Sequence, residues 1–142
     1  MSNKSVFLSF NDLYVGQTEK ISTIITKNVI SQFSSITGDY HPLHSDENYA
    51  GKNGFKDIIA HGLLISSLSS KLIGMKLPGL KSIIVKQSFE YNKPAYCGDK
   101  ITIAGEITKK DKRFKCVEVS INILNEEFTL LCTGKYLVKI RD

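Results

Sequence analysis

The chain has 142 residues, a formal net charge of +5, and 42% hydrophobic against 23% charged residues. This is the composition of an ordinary globular protein, and the length suits one domain over residues 1–142 rather than two. The positive charges are spread along the chain. The one dense cluster, residues 109–115, holds a single aromatic residue, Phe114, and is predicted to be an exposed hairpin turn, so no nucleic-acid partner is expected.

The cysteines indicate the redox compartment. Cys97, Cys116 and Cys132 are odd in number and form no CxxC pair. This pattern favours a reducing compartment over a disulfide framework or a thiolate zinc site. Residues 1–17 lack the apolar run and cleavage site of a signal peptide, so the sequence predicts a cytoplasmic location.

The first predicted elements are a strand and a helix. Residues 19–26 alternate loosely between polar and apolar side chains, which indicates a strand. Thr26 is a suitable N-cap for a helix that ends at Gly38, since glycine readily adopts the left-handed conformation found after helices. One face of this helix is apolar and is predicted to pack inward: Val29, Ile30, Phe33 and Ile36.

The segment ITGDYHPLHSDENYA, residues 36–50, brings two histidines and three acids into one short stretch. Pro42 prevents simple continuation of the helix and favours an extended backbone at the preceding residue. Ser45 is a suitable N-cap for a short second helix, with Asp46 and Glu47 in its first turn. Three titratable residues are therefore expected on a tight connection between two helix ends: Asp39, His41 and His44.

Residues 58–77 form the most apolar stretch and are predicted to be a central helix. Because apolar side chains lie on most of its faces, this helix is expected to be buried. The charge-free run is too short and too rich in serine to span a bilayer, which requires about 20 apolar residues, so no membrane partner is expected. No G-x-S-x-G motif accompanies its serines, which are expected to serve packing.

The chain after Leu80 alternates between apolar and polar residues with a period of two, which predicts four consecutive antiparallel strands. Short turns such as Gly98–Asp99 and Asn125–Glu126 separate the later strands. The predicted fold class is α+β, with a curved antiparallel sheet of these strands and the early strand wrapped around the long buried helix.

Several motifs, in this order along the chain, resemble those of the MaoC-like, (R)-specific enoyl-CoA hydratase family. Residues 38–46, GDYHPLHSD, are similar to the family's G-D-x-N-P-L-H-x-D signature, and residues 59–64, IAHGLL, are similar to its I-V-H-G-M-L. The tripeptide LPG at residues 77–79 follows, and residues 93–99, KPAYCGD, resemble the family's K-P-V-x-x-G-D hairpin. The likeness covers residues 15–138 and implies a hot-dog fold with an overhanging helix–loop–helix segment.

The resemblance implies hydration of a trans-2-enoyl-CoA to an (R)-3-hydroxyacyl-CoA, or the reverse dehydration, which makes the chain a hydro-lyase. Asp39 and His44 match the family's catalytic pair, which holds one water against the thioester. Gly62 is expected to offer its N–H to the thioester oxygen, since a glycine at a helix N-terminus has a free N–H and no obstructing side chain. Ser70 matches a family position near the active site. His41, standing where the family usually has asparagine, is expected to brace the loop beside the substrate.

The thioester, carried by CoA or by an acyl-carrier protein, is the substrate itself, so no cofactor and no metal are expected. The resemblance also implies at least a homodimer, with the acyl tunnel near the subunit boundary. A single sheet of this kind leaves one exposed edge and an unfinished acyl slot, and a second copy closes both.

Other functions stay open at this point. An acyl-CoA thioesterase would direct a carboxylate or a water at the carbonyl carbon, and a non-catalytic acyl-CoA-binding domain would need no Asp39–His44 pair. The pair could also be structural, with the acid capping the turn and the histidine packing on an aromatic neighbour. Zinc or iron could bind Asp39, His41 and His44, although the two histidines are only three residues apart across Pro42. For His61, a structural role at the entry to the helix is expected.

Overall fold

The structure, a computed structural model, describes residues 4–142. Within these residues the sheet has five strands: β1 (Thr18–Ile24), β2 (Ser82–Tyr91), β3 (Lys100–Asp111), β4 (Cys116–Leu124) and β5 (Leu130–Ile140). The α-helices are α1 (Lys27–Thr37), α2 (Glu47–Lys52), α3 (Gly62–Ser67) and α4 (Ser69–Met75), and single 3-10 turns cover Phe10–Asp12 and Pro42–His44.

The sheet is antiparallel throughout, with the strand order β1-β3-β4-β5-β2. Helix α4 packs against β1, β2 and β3, and α3 packs against β5, so the sheet curves around the helices. The predicted α+β architecture is therefore confirmed. Strands β3, β4 and β5 bury alternate side chains against the helices, as period-two alternation requires; examples are Ile101, Ile103, Val117, Val119, Ile121, Ile123, Tyr136 and Val138. The edge strands β1 and β2 have no buried side chain.

The predicted central helix is present but begins later than the sequence suggests. Residues 58–60 are extended, because Ile59 forms a bridge with Tyr96 and the Ala60 N–H donates to the Ala95 carbonyl at 2.8 Å. The helix starts at Gly62 and runs to Met75, and Leu68 between α3 and α4 keeps a right-handed helical backbone. Among the described residues, no helix is long and apolar enough to cross a membrane.

Not every apolar residue of this helix is buried. Leu64, Ile65, Leu72 and Ile73 lie in the core, whereas Leu63 is 68% exposed in the single chain. The expectation of burial on most faces is therefore wrong at Leu63. The core also accepts two serines, Ser66 and Ser69, since each hydroxyl finds a partner; Ser69 is hydrogen-bonded to the buried Tyr136 hydroxyl at 2.5 Å.

The capping residues predicted for α1 are confirmed. Thr26 Oγ1 accepts a hydrogen bond from the Val29 N–H at 3.1 Å, and Gly38 ends the helix with a φ of 77°. Because Thr26 serves as the cap, β1 ends at Ile24, two residues earlier than predicted. The buried face of α1 is also shorter than predicted, because Ile30 is buried but Ile36, in the last turn, is 81% exposed.

The cap of α2 differs from the prediction. Asp46, not Ser45, is the N-cap, and its Oδ1 accepts a hydrogen bond from the Tyr49 N–H at 3.0 Å. Ser45 instead closes the preceding 3-10 turn, with its N–H donating to the Pro42 carbonyl at 3.2 Å. Two adjacent residues were both good caps, and the turn before the helix decides between them.

The basic cluster at residues 109–115 is a hairpin turn, as predicted. Strand β3 ends at Asp111, β4 begins at Cys116, and residues 112–115 between them are exposed. The sheet's two edges are β1 and β2. Strand β2 carries most of the exposed apolar surface of these edges, with Ile83, Ile84 and Val85 exposed by 48%, 39% and 58%.

Candidate active site

The turn after α1 is held by hydrogen bonds of its own side chains. Asp39 Oδ1 accepts from the His41 N–H at 3.1 Å, and His41 Nδ1 accepts from the Leu43 N–H at 3.2 Å. His41 thereby caps the 3-10 turn of Pro42–His44. An asparagine or aspartate often fills such a position, because its side chain accepts from the backbone two residues on. The turn is thus ordered by local bonds, and the second oxygen of Asp39 is not used by it.

His44 leaves this turn toward the residues before α3. Its Nδ1 lies 2.7 Å from the Ile59 carbonyl oxygen. A carbonyl can only accept, so Nδ1 carries the proton and Nε2 presents a lone pair. Burial lowers the pKa of His44; the nearby His61 adds to this effect, while the bond to Ile59 and the charge of Asp39 oppose it. His44 is therefore predisposed to be a neutral acceptor at Nε2.

His61 lies against His44 on the inner side. It is 3% exposed, and the two imidazole rings stack with centroids 3.7 Å apart and planes 24° apart. Its Nε2 is 3.1 Å from the backbone oxygen of Asp39 and 3.2 Å from Ser34 Oγ on α1. The Phe33 ring covers another side, with centroids 4.9 Å apart. The prediction that His61 braces the helix entry agrees with these contacts but misses its approach to both Asp39 and His44.

Asp39, His44 and His61 converge. One polar side-chain atom from each of the three lies within 4.8 Å of the other two. From the sequence, Asp39 and His44 were predicted to act as a pair only because of the family resemblance. The structure places their side chains near each other. His41 lies at the margin, exposed, with its ring 6.0 Å from the His44 ring and 5.9 Å from the Tyr49 ring.

The same three residues are the described group that could approach a common metal ion, with His61 in place of the His41 considered from sequence. One nitrogen of each ring is bonded to a backbone carbonyl, of Ile59 and of Asp39, which leaves the other nitrogen as the possible ligand atom, as is usual for metal-binding histidines. The same three donors can also hold a water molecule by hydrogen bonds.

Gly62 follows His61 directly and is the first residue of α3. A Cβ built at Gly62 would lie 3.1 Å from the Tyr91 ring, so the bare backbone lets that ring approach. The Tyr91 hydroxyl donates to Ser66 Oγ at 2.8 Å, which fixes the ring beside Gly62. A cavity of about 270 Å³ opens here, with mainly apolar walls that include Ile59, Ile65 and Leu131.

Ser70 is the predicted site residue that the structure leaves apart from this cluster. It lies on α4, eight positions after Gly62, and is exposed in the single chain. Tyr91, in contrast, lies against Gly62 and was not singled out from the sequence. Its place at the end of a strand, just before the KPAYCGD motif, is the signal that was available.

A family model described as MaoC like domain matches residues 15–127. The chain belongs to this family. A curated (R)-specific enoyl-CoA hydratase of Aeromonas caviae is 32% identical over 133 residues, covering 94% of this chain and 99% of that protein. A 3-hydroxybutyryl-CoA dehydratase of Methylorubrum extorquens is 34% identical over 135 residues, covering 94% and 84%.

Solved structures agree with this membership. An (R)-hydratase of A. caviae involved in PHA biosynthesis superposes with a TM-score of 0.88 at 32% identity, over 91% of this chain and 98% of that one. An unliganded R-hydratase of Pseudomonas aeruginosa gives a TM-score of 0.89 at 27% identity, over 94% and 86%. The predicted MaoC-like family and hot-dog fold are confirmed.

Proposed function

We propose that this MaoC-like protein catalyses the (R)-specific hydration of trans-2-enoyl-CoA to (R)-3-hydroxyacyl-CoA, or the reverse dehydration. The observation that carries the proposal is the convergence of Asp39 and His44 immediately before the Gly62 end of the central helix. Relatives that cover almost the whole chain are named a hydratase and a dehydratase, and they support the same chemistry.

In the proposed mechanism the pair holds one water molecule. The Nε2 lone pair of His44 takes a proton from the water as its oxygen bonds to the β-carbon of the enoyl thioester. The imidazolium formed then gives that proton to the α-carbon, so the elements of water add across the double bond and His44 returns to its neutral form. The Asp39 carboxylate accepts a hydrogen bond from the second O–H of the water, whose hydrogen stays in the product hydroxyl, and its charge stabilises the imidazolium. Assistance of this kind contributes about 10²–10⁴-fold in rate.

The negative charge on the thioester oxygen requires a donor. The Gly62 N–H is proposed for this role, because the first N–H groups of a helix have no partner within it and a glycine leaves them accessible. One such donor is worth about 2.7–4 kcal/mol in the transition state. The cavity beside Gly62 and Tyr91 is mainly apolar, as an acyl chain requires. Ser70 and the exposed His41 are proposed to contact substrate from the rim.

The reaction needs no cofactor in this proposal, since the activated water and the thioester supply every atom that is transferred. The carrier is CoA, with an acyl-carrier protein as the alternative. The three cysteines are free, and the cytoplasmic location predicted from them stays a prediction.

One assay separates the proposal from its rivals. Purified protein mixed with crotonyl-CoA should remove the enoyl absorbance without releasing free thiol, and chiral analysis should find the (R)-3-hydroxy product. Release of thiol would indicate a thioesterase. Saturable binding without turnover would indicate an acyl-CoA-binding domain.

A homodimer is proposed to form along the free edge of β2. The exposed apolar side chains there suit an interface and would otherwise invite aggregation. Val85 is 58% exposed on β2, and the Val85→Lys variant should be a monomer by size exclusion with light scattering. Ile24 is 53% exposed on the opposite edge strand β1. The Ile24→Lys variant is the matched control and should leave the dimer intact. Dissociation by the Ile24 change alone would place the interface on β1.

A further inference from the structure

His61 touches each part of the proposed catalytic centre. Its ring stacks on His44, its Nε2 reaches the Asp39 backbone, and Gly62 is the next residue. We infer that His61 is a positioning residue, whose Nε2–H holds the Asp39 turn and whose ring covers one face of His44. This inference rests on the proposed hydratase function. It assigns one task to the Nε2–H of the buried ring, which contacts Asp39, and another to the ring face, which stacks on His44.

The tautomer follows from the chemistry of the partners. The Asp39 backbone oxygen can only accept, so the proton of His61 lies on Nε2, 3.1 Å away. Ser34 Oγ is 3.2 Å from the same nitrogen and shares this donor. Nδ1 is buried and, among the described residues, has no hydrogen-bond partner. A proton on Nδ1 would be a buried N–H without an acceptor, so the geometry favours the tautomer with its proton on Nε2.

The first task is to hold Asp39. The carboxylate of Asp39 is bonded to the His41 N–H from within the turn, whereas His61 anchors the backbone of the same residue from the protein interior. Because Ser34 belongs to α1, the His61 ring joins α1, the turn and the start of α3 at one point. Without the Nε2–H donor, the Asp39 end of the turn loses this anchor, while its His44 end stays bonded to Ile59. A displacement of about 1 Å at a catalytic group can lower the rate about 10²-fold.

The second task is to shield His44. The titratable groups that face His44 are Asp39, His41 and His61, and burial is the main reason that the pKa of His44 is lowered. The stacked ring of His61, 3.7 Å from His44, supplies part of that burial. Removing the ring while keeping a donor should therefore admit water and let the pKa of His44 rise toward its ordinary value.

Two substitutions separate the tasks. His61→Phe keeps an aromatic ring on His44 but loses the donor, so kcat for crotonyl-CoA should fall about 10- to 100-fold while the acidic limb of the pH–rate profile stays in place. His61→Gln keeps a donor near the Nε2 position but loses the ring, so the acidic limb should move to higher pH. An NMR titration of the His44 ring should show the same upward movement. Ser35→Ala, an exposed change on α1, is the control and should alter neither quantity.

Wild-type kcat in folded His61→Phe overturns the anchoring task, and an unchanged His44 titration in folded His61→Gln overturns the shielding task. If neither variant folds, as judged by circular dichroism, His61 is a structural residue and the inference is wrong. The NMR titration needs no turnover. If wild-type protein does not hydrate crotonyl-CoA, the proposed function fails, while the His44 titration still decides whether the His61 ring shields His44.

Discussion

The replacement of Asp39 by asparagine tests the proposed chemistry with little disturbance of the fold. Asp39 is exposed, and its Oδ1 accepts a hydrogen bond from the His41 N–H at 3.1 Å. The amide oxygen of asparagine can accept the same bond, so the turn should persist. What is lost is the negative charge that holds the water and stabilises the His44 imidazolium. General acid–base assistance is worth about 10²–10⁴-fold, which corresponds to about 2.7–5.4 kcal/mol of transition-state stabilisation.

The assay is the steady-state hydration of crotonyl-CoA by Asp39→Asn at the pH optimum of the wild type. Asp46→Asn is the matched control, since it makes the same change in the same segment and asparagine caps a helix as well as aspartate does. We expect the control to keep nearly full activity and both proteins to unfold at similar temperatures. A loss of less than about 10²-fold in Asp39→Asn would refute the role given to the carboxylate. Equal losses in both variants would assign the effect to the charge of the segment as a whole.

Three further predictions concern stability and reactivity. Because the pKa of His44 is lowered in the folded protein, the unfolded chain binds a proton at this residue more readily than the folded chain does. The free energy of unfolding should therefore fall as the pH drops below about 6.5. Urea midpoints measured at pH 7.5 and pH 5 should differ less in His44→Gln than in the wild type. Burial raises the pKa of Cys132 to about 11, so this thiol should react with DTNB only after unfolding, and mass spectrometry of the native adducts should find it unmodified. A Cβ at Gly134 would overlap the Phe89 ring, so Gly134→Ala should destabilise the fold by about 1–3 kcal/mol. A Cβ at Gly74 would meet no atom within 4 Å, so Gly74→Ala should stabilise helix α4 by about 0.5–1 kcal/mol. Melting temperatures equal to that of the wild type would contradict both predictions.

Features set by neighbouring residues were predictable from the sequence. Thr26 and Gly38 bound α1 because a cap needs only the backbone next to it. Period-two alternation gave the later strands for the same reason. Where two local signals compete, as at Ser45 and Asp46, the sequence alone does not decide. Hydrophobic pattern also failed at Ile36 and Leu63, since burial depends on which element lies opposite.

Contacts between distant segments lay outside the reach of local patterns. The central helix begins at Gly62 rather than near residue 58 because the preceding residues pair with Ala95 and Tyr96, more than 30 positions away along the chain. The same limit applies to the site. Motif resemblance named Asp39 and His44, but the approach of His61 to both follows from the folding of the turn over the helix end.

The extended residues 58–60 link the turn that carries His44 to the hairpin loop around Ala95. On one side the Ile59 carbonyl receives the His44 imidazole and the Ile59 N–H donates to the Leu43 carbonyl. On the other side the same short stretch is bonded to the hairpin loop around Ala95. A substitution that shifts this loop should therefore also displace the carbonyl that orients His44, and we expect it to change turnover although Asp39 and His44 are unaltered.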